Sequence, residues 1–121
     1  MLTIRAAQME ALARERAEEC KARLRKLAAR CWPEVCQRLG DAGLRACVEG
    51  VFAACIGRGI QGEDDLARYL NVALALGPGF ETDPRYPWAR RILDDASMRP
   101  AARIERLSSL TADALARQES P

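Results

Sequence analysis

Histidine is absent from the 121 residues of this chain. Its absence removes the commonest general base, the commonest metal ligand and the usual physiological pH switch together. Aromatic residues are scarce, with two each of Trp, Tyr and Phe, so no stacking platform for bases is at hand. No apolar run approaches the roughly 18 residues of a membrane span. The first residues lack a basic stretch followed by an apolar one, so no secretory signal is expected, and the chain reads as cytoplasmic. The five cysteines contain no CxxC pair, and without histidine they complete no zinc site. The net charge of +2 is too small to imply a nucleic-acid or anionic-membrane surface. No segment alternates with period two, and no internal repeat is visible. The expectation is therefore an all-α protein with no metal, no cofactor, no nucleic-acid partner and no membrane. An enzyme built on this chain would have to rely on carboxylates, Cys or Lys.

What is present is a long amphipathic helix at the start. Ala6, Met9, Ala13, Ala17, Cys20, Leu24, Leu27 and Cys31 recur at steps of three and four, which aligns them on one helix face. Thr3 is the expected N-cap, giving a helix over about 4–31 that no Gly or Pro interrupts before Pro33. From Thr3 to Arg30 such a helix is about 42 Å long at about 1.5 Å per residue. A compact chain of this length is only about 35 Å across, from a radius of gyration of roughly 14 Å. The helix must span the domain or project beyond it, and a projecting apolar stripe needs a partner. Glu10 with Arg14, and Glu19 with Arg23, are spaced for i,i+4 pairing.

The rest of the chain divides into shorter helices. Pro33 suits the first position of a short helix, Glu34 to Leu39, closed by Gly40. Asp41 caps a helix from about Ala42 to Arg58 whose apolar face is Leu44, Cys47, Val48, Val51, Phe52, Cys55 and Ile56, and Gly59 is its αL cap. The acidic triplet Glu63, Asp64 and Asp65 favours a helix start. The helix that follows buries Leu66, Tyr69, Leu70, Ala73, Leu74 and Leu76, and stops at Gly77-Pro78-Gly79. Pro87 opens a short helix with Trp88, Ile92 and Leu93. Pro100 opens the last, with Ile104, Leu107, Leu110, Ala114 and Leu115 as its stripe and residues 118–121 as a frayed tail. The sum is a single domain over 1–121, a compact bundle of five to six helices with a long first helix.

Four clusters invite a chemical reading. Cys20, Cys31, Cys47 and Cys55 lie on helical stripes, where Cys acts as a small buried hydrophobe. Cys31 and Cys36 at the first corner are the pair best placed for a redox bond, which a reducing compartment would keep transient. The carboxylates 63–65, Glu81 with Asp83, and Asp94 with Asp95 each fit a local helix start or turn better than a metal or hydrolase site. The basic stretch Lys21 to Arg30 points several ways around its helix, as a solvated face does. The loop from Gly77 to Trp88 holds three prolines and three aromatics. Phe80 and Trp88 are expected to plug the core. Arg85 and Tyr86, stiffened between Pro84 and Pro87, are expected to face outward as recognition residues.

Arg58-Gly59-Ile60, Glu63-Asp64-Asp65-Leu66, Tyr69-Leu70, Gly77, Phe80, Asp83-Pro84, Pro87-Trp88-Ala89 and Ile92-Leu93 together resemble a family of small, uncharacterised helical proteins. That family is encoded beside type VI secretion spike and effector genes in bacteria. Where it carries Ser or Thr before the acidic stretch, this chain has Gln61-Gly62. The resemblance implies a non-catalytic, protein-binding accessory role, as adaptor or co-chaperone for an effector or spike component, and it supplies no catalytic residues. The alternatives are an immunity protein against a neighbouring toxin, a thiol-based redox sensor, and an enzyme working through carboxylates. From the residues themselves, the expected partner-binding positions are Leu2, Ile4, Met9 and Leu12 on the first helix, with Arg85 and Tyr86 in the loop. The first helix either enters a groove on a partner or pairs two copies as a homodimer.

Overall fold

The computed structural model describes the backbone of residues 2–119 and the side chains of residues 7–118. All regular structure in this range is helical: α1 (Leu2–Cys31), α2 (Pro33–Ile56), α3 (Glu63–Leu76), a 3₁₀ turn (Phe80–Thr82), α4 (Pro87–Leu93) and α5 (Pro100–Glu119). The all-α bundle with a long first helix is what the hydrophobic periodicity demands. No helix among the described residues is long and apolar enough to cross a membrane.

Helix α3 lies at the centre, packed against α1, α2 and α5. Its buried set, Leu66, Tyr69, Leu70, Val72, Ala73, Leu74 and Leu76, leaves little polar face, as expected of a helix surrounded by others. Helix α4 closes one end by packing on α5 and on the 3₁₀ turn. One contiguous core runs from Cys20 of α1 to Leu107 of α5. Each fully buried Leu, Ile or Phe in it contributes about 1.5–3 kcal/mol of transfer free energy.

The helix ends show local chemistry at work. Gly40, with φ 72° and ψ 173°, is non-helical, so α2 is two helices joined at a kink: the short one closes at Gly40, as expected, and the longer one follows it. The helix stops at Ile56, two residues before the expected Arg58. Gly59 then adopts φ 74°. Its N–H reaches Ile56 O (3.3 Å) and the N–H of Ile60 reaches Cys55 O (2.9 Å). This is the Schellman arrangement, with buried Ile60 and Cys55 as its hydrophobic contact. A Cβ at Gly59 would meet only Pro100 Cγ, at 3.8 Å. The cost of Gly59→Ala is therefore that of the left-handed backbone, about 1–2 kcal/mol, to be read as a lower urea midpoint with an unchanged slope.

Gly62 precedes α3 with extended φ/ψ and gives no side-chain cap. The carboxylates of the first turn complement the helix dipole in its place. Helix α1 begins at Leu2, so Thr3 lies within the helix and not before it, and its side chain falls outside the described residues. At the other end Gln118 is helical, contrary to the expected fraying from that position. Ser120 and Pro121 lie outside the described residues.

Candidate protein-interaction site

The stripe of α1 has two halves with different environments. From Ala17 onward it meets the body: Cys20, Leu24 and Ala28 are buried against α2 and α3. From Ala7 to Arg16 every side chain is exposed. The sequence pattern does not change where the body ends, so Met9 and Ala13 continue the buried face into solvent. Met9 is 67% and Leu12 52% exposed, and the other large exposed hydrophobic among the described residues is Ile56, at 66%. The side chains of Leu2 and Ile4 lie outside the described residues. About 22 Å of helix, residues 2–16, extends beyond the packed part at about 1.5 Å per residue.

The junction between the halves is held by ion pairs across helices. Lys21 Nζ binds Glu18 (3.1 Å) on its own helix and Glu49 (3.0 Å) on α2, and it sits 5.2 Å from the centre of the Phe52 ring. Arg23 binds Glu63 Oε1 at 2.6 Å. The expected Glu19–Arg23 pairing gives way to this bond because α3 brings its acidic first turn against α1. The Glu63 carboxyl is held below its usual range, first by Arg23 and then by the Cys20 thiol. Both partners are largely exposed, so this is alignment more than stability.

The loop from Gly77 to Trp88 is folded differently from expectation. Phe80 is buried and tilted against Tyr69, with ring centres 5.5 Å apart. The Tyr69 hydroxyl donates to Glu81 Oε1 at 2.5 Å. Arg85 faces outward, as expected, and is tied to Asp83 through both its guanidinium (2.9 Å) and its backbone N–H (2.9 Å). Tyr86 does not face outward: it is only 6% exposed. The turn closed by the N–H of Tyr86 on Asp83 O (3.0 Å) reverses the chain, so consecutive residues point to opposite sides. The Tyr86 hydroxyl accepts from Gln118 Nε2 on α5 (3.3 Å). Trp88 is half-buried, edge-on to Tyr86 at 5.9 Å. Tyr86 is thus the anchor, and Trp88 covers it from outside. Of the six positions expected to bind a partner, Met9, Leu12 and Arg85 are exposed, Tyr86 is not, and no spatial cluster joins the loop to α1.

Three of the remaining carboxylates have structural partners. Asp65 pairs with Arg68, Asp94 with Arg58 and Arg90, and Asp95 accepts from Ser97. Among the described residues no three Cys, Asp or Glu side chains converge as a metal site would require. Two open grooves mark the body. One, of about 560 Å³, lies between α3 and α5 and is walled by Trp32, Val72, Thr111 and Leu115. Its Thr111 hydroxyl is already spent on Leu107 O (2.7 Å). The other, of about 580 Å³, runs over Gly43, Ala46, Gly50 and Ala54 of α2, with Arg58 and Glu81 at its edge.

All five cysteines are free. Cys20, Cys47 and Cys55 are buried as expected, but Cys31 is exposed at the rim of the groove between α3 and α5, and Cys36 is half-buried. Burial raises the thiols: Cys20 to about 11, with help from Glu63, and Cys55 to about 12. A thiol kept protonated is a weak nucleophile. In the unfolded chain these thiols ionise near their ordinary value of 9.0, so above it the unfolded state holds fewer protons than the native one and stability falls with rising pH. Native stability should be flat below about pH 8.5 and decline between about pH 9 and 11, and replacing Cys20 and Cys55 with Ala should make that slope shallower, with the raised Cys36, Cys47 and Tyr69 left to carry the rest. In the native protein Cys31 should be alkylated first, with Cys47 and Cys55 reacting only on unfolding.

Compared with known proteins, this chain matches no family model, no curated protein and no solved structure, so the surface of α1 stands on its geometry alone.

Proposed function

We propose that this protein is a cytoplasmic, non-catalytic adaptor that binds another protein through the projecting half of α1. The observation that carries the reading is the apolar stripe of α1, which continues past the point where the body stops covering it and leaves Met9 and Leu12 in solvent. An amphipathic helix offered in this way is a common recognition mode. The resemblance to proteins encoded beside type VI secretion genes suggests the client: an effector or spike component awaiting export. Cys20, Cys47 and Cys55 are buried and their thiols raised, so a redox role would fall to the exposed Cys31 with Cys36.

The test is co-purification from the native host with a type VI effector or spike protein. Met9→Glu with Leu12→Glu should weaken binding by an order of magnitude or more, as loss of a central apolar anchor does, while the helical circular dichroism stays unchanged. Binding that survives the double substitution contradicts the proposal. If the bound client is a toxin whose activity vanishes in the complex, the role is immunity and not loading.

A further inference from the structure

We infer that the groove between the packed half of α1 and the longer part of α2 is a second docking surface. Its occupant is an acidic segment of a protein partner, whose carboxylates seat on Arg25 and Arg45. This surface is separate from residues 7–16 of α1, and the inference does not depend on what that segment binds.

The charge of the chain is small in sum but uneven along its length. Residues 21–45 hold seven Lys and Arg against two carboxylates, Glu34 and Asp41. Two of the seven are engaged by acids from outside this stretch: Lys21 by Glu18 and Glu49, and Arg23 by Glu63. Arg25, Lys26 and Arg45 form no ion pair among the described residues. These three line one groove of about 340 Å³, together with Ala22 and Ala29 of α1 and Leu44 of α2. Asp41 is the one carboxylate on its wall. Part of the basic stretch that reads as a solvated face in the sequence is therefore gathered on one concave surface.

The pairing across the two helices shows what the groove lacks. Lys21 meets Glu49 at 3.0 Å. One turn further along α1 is Arg25, and one turn back along α2 is Arg45. Both line the same groove, so a guanidinium stands across from Arg25 where a carboxylate stands across from Lys21. One guanidinium nitrogen of Arg25, Nη1, is buried and has no hydrogen-bond partner, a condition that folded proteins seldom leave unanswered. A carboxylate brought between the two arginines supplies the acceptor and separates two like charges. The planar fork of Arg suits a carboxylate through two parallel N–H bonds.

The same residues favour a peptide over other anions. No aromatic side chain lines the groove, so it offers no platform for a base. An evenly charged phosphate backbone laid along it would meet Asp41 one turn beyond Arg45, whereas a peptide can place an uncharged residue there. A bilayer would need apolar side chains to insert. The large exposed hydrophobics among the described residues are Met9, Leu12 and Ile56, and none of them lines this groove. Complementary charge of this kind chooses the partner and speeds its arrival.

The test is fluorescence anisotropy of a short labelled peptide that alternates Glu and Ala, titrated with the full chain at low salt. The peptide should bind, and binding should weaken as salt is raised. Arg25→Gln with Arg45→Gln should weaken it about tenfold or more, as loss of paired arginine anchors does. Arg91→Gln with Arg106→Gln changes the net charge equally at exposed sites elsewhere and should leave it within about twofold. Asp41→Asn removes the competing carboxylate and should tighten binding, a gain that no loss of folding can imitate. The inference is overturned if the peptide does not bind, or if both arginine pairs weaken it equally. It is overturned as well if oligothymidylate or phosphatidylglycerol vesicles bind through Arg25 and Arg45 more tightly than the peptide. Met9→Gln with Leu12→Gln should bind the peptide as the wild type does. Loss of the peptide there would place it on the first half of α1 and overturn the inference, while loss of the client alone bears only on the adaptor reading.

Discussion

Replacing Tyr86 with Ala is expected to lower stability by about 3–5 kcal/mol, as truncation of a large buried aromatic does. Small domains have about 5–15 kcal/mol in all, so this one change takes about a fifth of it at the least. Three contacts are lost together: the ring's place in the core, its edge-on packing with Trp88 and the hydroxyl's bond to Gln118 on α5. Tyr86→Phe should cost about 1 kcal/mol or less, since it removes only one long hydrogen bond. Trp88→Ala should cost clearly less than Tyr86→Ala, because the indole is half in solvent. Urea unfolding of the three variants checks the order. If Trp88→Ala were the most damaging, the loop would be oriented as the sequence first suggests.

Deleting residues 2–12 is expected to abolish association and leave the body intact. Every described side chain from Ala7 to Leu12 is exposed, and removal of exposed residues costs little, typically within about 0.5 kcal/mol. The ion pairs of Lys21 and Arg23 and the burial of Cys20 all lie beyond the cut. The unfolding midpoint should therefore stay in place while client binding disappears. A truncated chain that unfolds at a much lower denaturant concentration would make this segment part of the core.

The helices were legible because their periodicity is strong and their stops are Gly and Pro. The stripe of α3 is buried at every position the pattern named, and Gly59 takes the left-handed cap its place after an apolar run implies. Tyr86 was misjudged for a definable reason. Two flanking prolines stiffen the backbone but do not say which side of the turn faces the core, and that side is set by the bond from the Tyr86 N–H back to Asp83 and by the arrival of Gln118 from α5. The stripe also predicts a buried Cys31, which is exposed at the rim of a groove. The stripe reports which face is apolar, not how far along the helix the body extends. The same limit applies at the other end: the pattern over residues 6–31 is uniform, and only the positions of α2 and α3 show that its first half is uncovered.

The central claim is that the first half of α1 lies outside the fold and is ordered by what it binds. Amide hydrogen exchange over residues 7–16 tests it most directly. In dilute protein alone these amides should exchange far faster than those around Leu24, because an isolated helix segment this short is marginal in water. Protection should rise on addition of the client. Protection equal to that of the core, with no change on adding the client, would contradict the account.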